Sequence, residues 1–352
     1  MRPVGTALLA TTILTTSVTL AKADVKVVAS IKPVHSLVAA VMQGVDTPYL
    51  LVGGAGSPHT YALKPSQARQ LQDADLVFWM SHDLEAFLEK PIESIAANAT
   101  SVQLMESHGL TKLNFREGGA FASHDHDDHD DHDDKDHDDH DDHGHDDKDH
   151  DDHDDHGHDD KDHDDHGHDD KDHDDKDHDG VDPHVWLDPA NAKAMIHEIE
   201  EALVAADPAH AATYEANAEA LMLKIDSLVA EVDAELEPVK GRGYVVFHDA
   251  YQYFEARFGV SAIGSITVSP EVLPGAERVS ELQEKVRDLD AACVFSEPQF
   301  KPKLVATVTE NTNAGTGVLD PLGATIENGP ELYFTLIRNM ANSLKECLVK
   351  SG

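Results

Sequence analysis

Three histidines of this 352-residue chain lie next to the ends of predicted strands or the start of a predicted helix. His59 follows the loop sequence GGAGSP, His184 precedes VWLDP at the start of a helical pattern, and His248 ends the apolar run YVVF. Ligands of open α/β sheets bind at the carboxyl ends of the strands, so we expect these imidazoles to converge. Imidazole nitrogen is a preferred ligand of Zn²⁺. Their joint placement predicts a metal site that none of the three would indicate alone.

Five other histidines lie outside the long acidic segment described below. His82 also stands at a strand end, beside Asp83, where a helix cap is an equally good interpretation. His197 and His210 fall within or at the start of helical patterns, which favours exposed or capping side chains.

One low-complexity segment dominates the charge of the chain. Residues 124–179 hold 31 Asp, 17 His and 5 Lys, so they carry −26 of a net charge of −41. Residues 123–180 offer almost nothing to a core, which predicts a disordered loop with many weak and labile zinc clusters. A solvated acidic spacer is the alternative. The candidate ligands are His124, His126, His129, His132, His137, His140, His143, His145, His150, His153, His156, His158, His163, His166, His168, His173 and His178.

The amino terminus predicts export. An apolar run over residues 4–20 and the sequence AKA before Asp24 are typical of a secretory signal covering residues 1–23. No later apolar run is long enough to span a bilayer, and no cysteine near the cleavage point offers a lipid acceptor. We therefore expect a free periplasmic monomer. Its negative charge argues against nucleic acid as a partner and favours cations.

Apolar runs alternate with helical patterns on both sides of the acidic segment, which predicts an α/β fold with parallel sheets. We expect two such lobes joined by a long backbone helix, with the metal site in the cleft between them. The predicted divisions are an N-terminal lobe over 24–206, a linking helix over 207–238 and a C-terminal lobe over 239–352. The last strand is predicted over 318–320.

The two cysteines are Cys293, in a predicted strand, and Cys347, in the last predicted helix. An oxidising compartment favours a disulfide between them. Zinc ligation by the pair is the alternative, although no partners stand nearby at metal-site spacing.

Five ordered motifs resemble the ZnuA-type family, the solute-binding components of ABC importers for zinc and manganese. The resemblance covers essentially all of the chain from Asp24 and includes the His/Asp-rich loop. It implies that His59, His184 and His248 bind the metal, that Asp320 or water completes the shell, and that the cysteines pair. Glu297 is a candidate to bond a ligating imidazole. The motifs are SPHTYALKPS at 57–66, DPHVWLDP at 182–189, FHDAYQYF at 247–254, SEPQF at 296–300 and DPLG at 320–323.

The metal and partners follow from the same resemblance. Manganese members typically have Glu where this chain has His248, so zinc is the expected transported ligand. Pro58 stands where some members have a ligating Glu, which leaves an open position. We expect an ABC transporter permease in the inner membrane as the partner, together with periplasmic zinc metallochaperones. The alternatives are a manganese or iron binding protein of the same family, a pure metal buffer and a zinc-dependent hydrolase.

Overall fold

Two four-stranded parallel sheets form the framework of the chain. The computed structural model describes residues 25–116, 121, 180–267, 276–288, 291–300 and 303–350. All of them belong to one compact unit, whereas the predicted signal over 1–23 and the predicted disordered loop lie outside the described residues, apart from Gly180 at the loop's end. The predicted α/β class with two parallel sheets is confirmed.

The first sheet has the order β2-β1-β3-β4 and carries helices on its connections. The segments VVASI and LVFW, its two central strands, are buried at every position, as expected for strands covered on both faces. Its strands are β1 (Val27–Ile31), β2 (Tyr49–Val52), β3 (Leu76–Trp79) and β4 (Thr100–Gln103), and its helices are α1 (Lys32–Val41), α2 (Pro65–Gln72) and α3 (Ala86–Ser94).

Three helices complete the core alongside the sheets: α4 (Pro189–Ala206), α5 (Ala211–Leu236) and α9 (Leu332–Lys350). The 26 residues of α5 span about 39 Å at the usual helical rise. This helix packs against α1 of the first sheet and against α4 and α9. Its buried side chains recur every three or four residues, at Tyr214, Ala218, Leu221, Ile225, Leu228, Val232 and Leu236.

The second sheet repeats the design, with the order β6-β5-β7-β8. Its strands are β5 (Tyr244–His248), β6 (Ala262–Thr267), β7 (Cys293–Ser296) and β8 (Gly315–Val318), and its helices are α6 (Gln252–Phe258), α7 (Ala276–Asp288) and α8 (Lys303–Val308).

The last strand lies earlier than predicted: β8 ends at Val318, where the predicted strand over 318–320 begins. The sequence GTGV has low strand propensity, because glycine is depleted in strands. Packing explains the strand nevertheless. A Cβ on Gly317 would lie 2.5 Å from Cε1 of Phe295 on β7, so glycine at this position leaves room for the buried Phe295 ring.

Cys293 at the start of β7 and Cys347 in α9 form a disulfide, with 6.2 Å between their Cα atoms. The predicted pairing is confirmed, and it ties the last helix to the second sheet. Among the described residues, no helix is long and apolar enough to cross a membrane.

Candidate metal site

The three predicted histidines meet in one cluster. The candidate ligand atoms of His59, His184 and His248 all lie within 4.8 Å of one another. The ring centroids are 5.3 Å apart for His184 and His248, 5.5 Å for His59 and His184, and 6.0 Å for His59 and His248. In the part of the chain that the structure describes, no other group of three His, Cys, Asp or Glu side chains has this geometry.

His248 is the last residue of β5, where its ring points beyond the carboxyl end of the second sheet. Its Nδ1 lies 2.6 Å from Oε1 of Glu297, which directly follows β7. Burial opposes protonation of the ring, but the charge and hydrogen bond of Glu297, with Asp182 and Asp249, raise the pKa of His248 above its usual value. The interpretation of Glu297 as a partner of a candidate ligand is consistent with this contact.

His184 has the same kind of support. Its Nδ1 lies 2.6 Å from Oδ1 of Asp182, and its backbone N–H donates to the same oxygen at 2.9 Å. The other oxygen, Oδ2, accepts a 2.7 Å hydrogen bond from Nε2 of Gln252 in α6. Asp182 lies in the motif DPHVWLDP and Gln252 in FHDAYQYF, but the sequence alone indicated no role for either residue. A carboxylate two residues before a candidate ligand was the available signal.

His59 comes from the loop after β2, in a single 3-10 turn that spans Pro58–Thr60. Pro58 suits the first position of such a turn, because its fixed φ is helical and its missing N–H needs no partner. Burial, followed by the neighbouring rings of His184 and His248, holds the pKa of His59 well below its usual value. This imidazole is therefore neutral and ready to bind a cation at neutral pH.

The hydrogen bonds fix which ring nitrogens face the cluster. A carboxylate only accepts hydrogen bonds, so Nδ1 carries the proton in both His184 and His248, which leaves Nε2 as the candidate donor atom. These two Nε2 atoms are 3.5 Å apart. Tetrahedral zinc with Zn–N bonds of about 2.0–2.1 Å places two ligand nitrogens roughly 3.3 Å apart. The pair is already spaced for one zinc ion.

Asp320 is not part of this group. Its Oδ1 accepts hydrogen bonds from the backbone N–H groups of Leu322 and Gly323 and from Nε2 of Gln299, at 3.1, 2.9 and 3.0 Å. Its Oδ2 accepts a 2.6 Å hydrogen bond from the N–H of Ala324. Both oxygens are thus engaged by the segment that follows Asp320 and by Gln299, and its role as a ligand stays a prediction.

The remaining described histidines lie outside the cluster. His82 is exposed and contacts Glu89 of α3 at 3.0 Å. His197 is exposed on α4, and His210 approaches Asp207 at 2.5 Å beside the start of α5. His35 is buried in α1, where its Nε2 lies 3.1 Å from the carbonyl oxygen of Pro48.

The cluster lines a narrow cleft with a cavity volume of about 10 Å³. Pockets for drug-sized ligands typically hold about 300–1,000 Å³, so the cleft suits an ion better than an organic substrate. Trp186, Phe300, Pro321 and Leu322 contribute its apolar wall.

Comparison with known proteins agrees with the geometry. The family model described as "Zinc-uptake complex component A periplasmic", ZnuA, matches residues 27–347. The high-affinity zinc uptake system protein ZnuA of Brucella abortus is 55% identical over 324 residues, which cover 92% of each chain. The corresponding protein of Yersinia pestis is 32% identical over 334 residues, covering 93% of this chain and 92% of the relative.

Solved structures show the same fold. A crystal structure of ZnuA superposes with a TM-score of 0.66 at 20% identity, covering 92% of this chain and 98% of that one. At this identity the likeness supports the fold alone.

Proposed function

Because this chain belongs to the ZnuA family, the periplasmic components of zinc-uptake complexes, we propose the following function for it. The chain binds one Zn²⁺ ion with high affinity outside the inner membrane. It then delivers the ion to the permease of an ABC transporter for zinc uptake.

The observation that carries this proposal is the preformed group of three imidazoles. His59, His184 and His248 are the proposed ligands, and two of them have Nδ1 held by a buried carboxylate. Such partners orient a ligating imidazole and raise its basicity. Three nitrogen donors suit Zn²⁺, whereas Mn²⁺ prefers more carboxylate oxygen.

The fourth position is proposed to hold water rather than Asp320, whose oxygens are occupied by other hydrogen bonds. Structural zinc sites are usually closed by four protein ligands. An open position allows an incoming ligand to attach before the histidines dissociate, which suits a carrier that must release its ion.

The remaining assignments belong to the same proposal. Residues 1–23 are a cleaved signal that exports the chain to the periplasm, and the disulfide between Cys293 and Cys347 supports an oxidising compartment. The 17 histidines of residues 124–179 hold zinc weakly and raise its concentration near the cluster. Residues 24–206 and 239–352 are two lobes joined by 207–238. The carrier works as a monomer, and periplasmic zinc metallochaperones are further proposed partners.

Growth of the native cell under zinc limitation tests this function. Removing the gene should slow growth in a zinc-chelated medium, and added zinc should restore it while added manganese should not. A chromosomal copy in which the three histidines are alanine should fail to restore growth although it is exported at the normal level. Equal rescue by manganese would instead support the manganese alternative.

A further inference from the structure

A buried lysine outside the set of proposed ligands bonds the segment that directly follows Pro321 and Leu322, two residues that line the metal cleft. Lys32 is the first residue of α1 and is only 3% exposed. Its Nζ donates hydrogen bonds to the carbonyl oxygens of Gly323, Ala324 and Ile326, at 2.5, 3.2 and 2.6 Å. An ammonium group has three donors, and a buried charge is tolerated only where such donors are satisfied. Lys32 therefore holds the backbone of residues 323–326, which we call the clamp loop.

The clamp loop and the preceding Leu322 also hold the carboxylate of Asp320. Three successive backbone N–H groups, from Leu322 to Ala324, donate to its two oxygens. This arrangement needs Gly323 in the left-handed region, at φ +71°, where a side chain is strained. Successive N–H groups that converge in this way form an anion-binding concavity.

One peptide unit joins the ammonium to the carboxylate. The carbonyl oxygen of Gly323 accepts from Lys32, and the N–H of Ala324 in the same peptide donates to Oδ2 of Asp320 at 2.6 Å. The positive charge thus polarises the N–H that holds the carboxylate. Burial lowers the pKa of Lys32, and the charge of Asp320 acts in the opposite direction.

The held carboxylate lies beside the metal cleft. Pro321 and Leu322, which directly follow Asp320, line the cleft. Gln299 also lines it and donates to Oδ1 of Asp320 at 3.0 Å. The carbonyl oxygen of Pro321 accepts a 2.9 Å hydrogen bond from Nε1 of Trp186, two residues after His184. Without its hydrogen bonds, the Asp320 carboxylate would therefore be free beside a cleft that the three imidazoles also line.

We propose that Lys32 is a positioning residue that withholds Asp320 from the metal and so keeps the donor set at three imidazoles with an open fourth position. The inference rests on the proposed function, because it assumes that the cluster binds a metal ion. Without the ammonium, Asp320 loses its polarised donor and its balancing charge, and a divalent cation attracts its carboxylate, whose two oxygens bring the shell from four ligands to five. An added carboxylate oxygen favours Mn²⁺ relative to Zn²⁺.

Cobalt provides a readout that a purely structural role would not change. Co²⁺ absorbs visible light several-fold more strongly with four ligands than with five or six, so its spectrum reports the shell. We would titrate Co²⁺ into the chain without residues 124–179, as the parent protein and as Lys32→Met, Lys32→Met/Asp320→Asn and Lys26→Met. Lys26 is the matched control, because it is an exposed lysine paired with Asp73 at 3.7 Å.

Lys32→Met should lower the Co²⁺ absorption. It should also reduce the preference for Zn²⁺ over Mn²⁺ at least about tenfold, which is the lower end of the effects of residues that support a metal site without binding the metal. Adding Asp320→Asn should restore the parent spectrum, and Lys26→Met should not change it. If Lys32→Met does not fold, Gly323→Ala disturbs the same loop through backbone strain and should lower the absorption in the same way.

A folded Lys32→Met protein with the parent spectrum and metal preference would overturn the inference. Lowered absorption that Asp320→Asn does not restore would overturn it as well. Failure of the proposed function would give a different result. The parent protein and its His248→Ala variant would then bind the same amount of Co²⁺.

Discussion

At the scale of single residues, the main chemical feature is a carboxylate that is hydrogen-bonded to Nδ1 of each of two imidazoles. Asp182 supports His184 and Glu297 supports His248, both through Nδ1 at 2.6 Å. All four side chains are buried, so the rings have one orientation before a metal arrives. Preorganisation of this kind lowers the entropy lost on binding and so strengthens affinity.

Asp182→Asn should weaken zinc binding by about 10- to 100-fold, because the amide keeps the shape of the carboxylate but not its charge or its basic oxygens. Competition with a chromophoric chelator measures the change. Asp207→Asn is the matched control, since Asp207 is also buried and contacts an imidazole, that of His210, outside the cluster. Equal affinities for Asp182→Asn and the parent would show that the pairing does not support the site.

Zinc affinity should fall with decreasing pH, beginning above pH 6.5. The pKa of His248 is raised, so protons compete with zinc at this ring before they compete at His59, whose pKa is lowered. Chelator competition at pH steps between 8 and 5.5 measures the profile. In Glu297→Gln the fall should begin at lower pH, because Glu297 helps raise the pKa of His248. A flat profile from pH 7.5 to 6 would contradict this explanation.

The sequence predicts the three candidate ligands and one supporting group, Glu297, but not which imidazole Glu297 contacts and not the role of Asp182. His59, His184 and His248 each stand next to an element end, and elements end at shared edges of a sheet. Glu297 lies 49 residues from its partner His248, and the hydrogen bonds of Asp320 to the N–H groups that follow it depend on the backbone conformation at Gly323. Contacts of this kind require the structure.

At the scale of elements, a buried carboxyl group joins β3 to α3 in the first sheet. Glu85 is 0% exposed, and its Oε2 accepts hydrogen bonds from the N–H groups of Met80 and Ser81, at 2.9 and 3.1 Å. Burial raises the pKa of Glu85 to about 7. The folded protein therefore keeps a proton here that the unfolded chain loses near pH 4.5, so this group's contribution to stability falls as pH rises from 4.5 to 7.

Glu85→Gln should raise the free energy of unfolding of the metal-free protein at pH 8 by up to about 3 kcal/mol, because the amide carries no charge to bury. The gain should vanish below pH 4.5, where both states of the parent are protonated. Urea unfolding at the two pH values measures it. Glu93→Gln, an exposed change on the same helix, should alter neither value. A loss of stability at pH 8 would contradict the expected sign.

The helices and strands were predicted well where apolar runs are continuous. The prediction failed where tertiary packing, and not local propensity, determines the position of a strand. The buried runs in β1, β3 and β5 and the periodic face of α5 are visible in the sequence. The strand β8 is not, because the sequence GTGV has weak strand propensity and its place depends on the contact between Gly317 and Phe295.

At the scale of the whole molecule, the described residues on the two sides of the acidic segment pair with each other and form a stem. The backbone N–H of Phe115 donates a hydrogen bond to the carbonyl oxygen of Gly180 at 2.7 Å. The backbone N–H of Asp182 donates to the carbonyl oxygen of Leu113 at 2.9 Å. Asn114 and Val181 form an antiparallel bridge between these bonds. Residues 124–179 can therefore be removed without opening the stem, and Asp182 keeps its place behind His184.

We propose that the three-histidine cluster, rather than the acidic segment, is the tight zinc site. A competitive zinc titration of the chain from Asp24 without residues 124–179 tests it most directly, alongside the same protein with His248→Ala and, as a matched control, His210→Ala. We predict one tight site that His248→Ala removes and His210→Ala retains. Loss of all tight zinc binding on removal of residues 124–179 would show that the three-histidine cluster is not the tight site and would assign the metal-binding function to that segment.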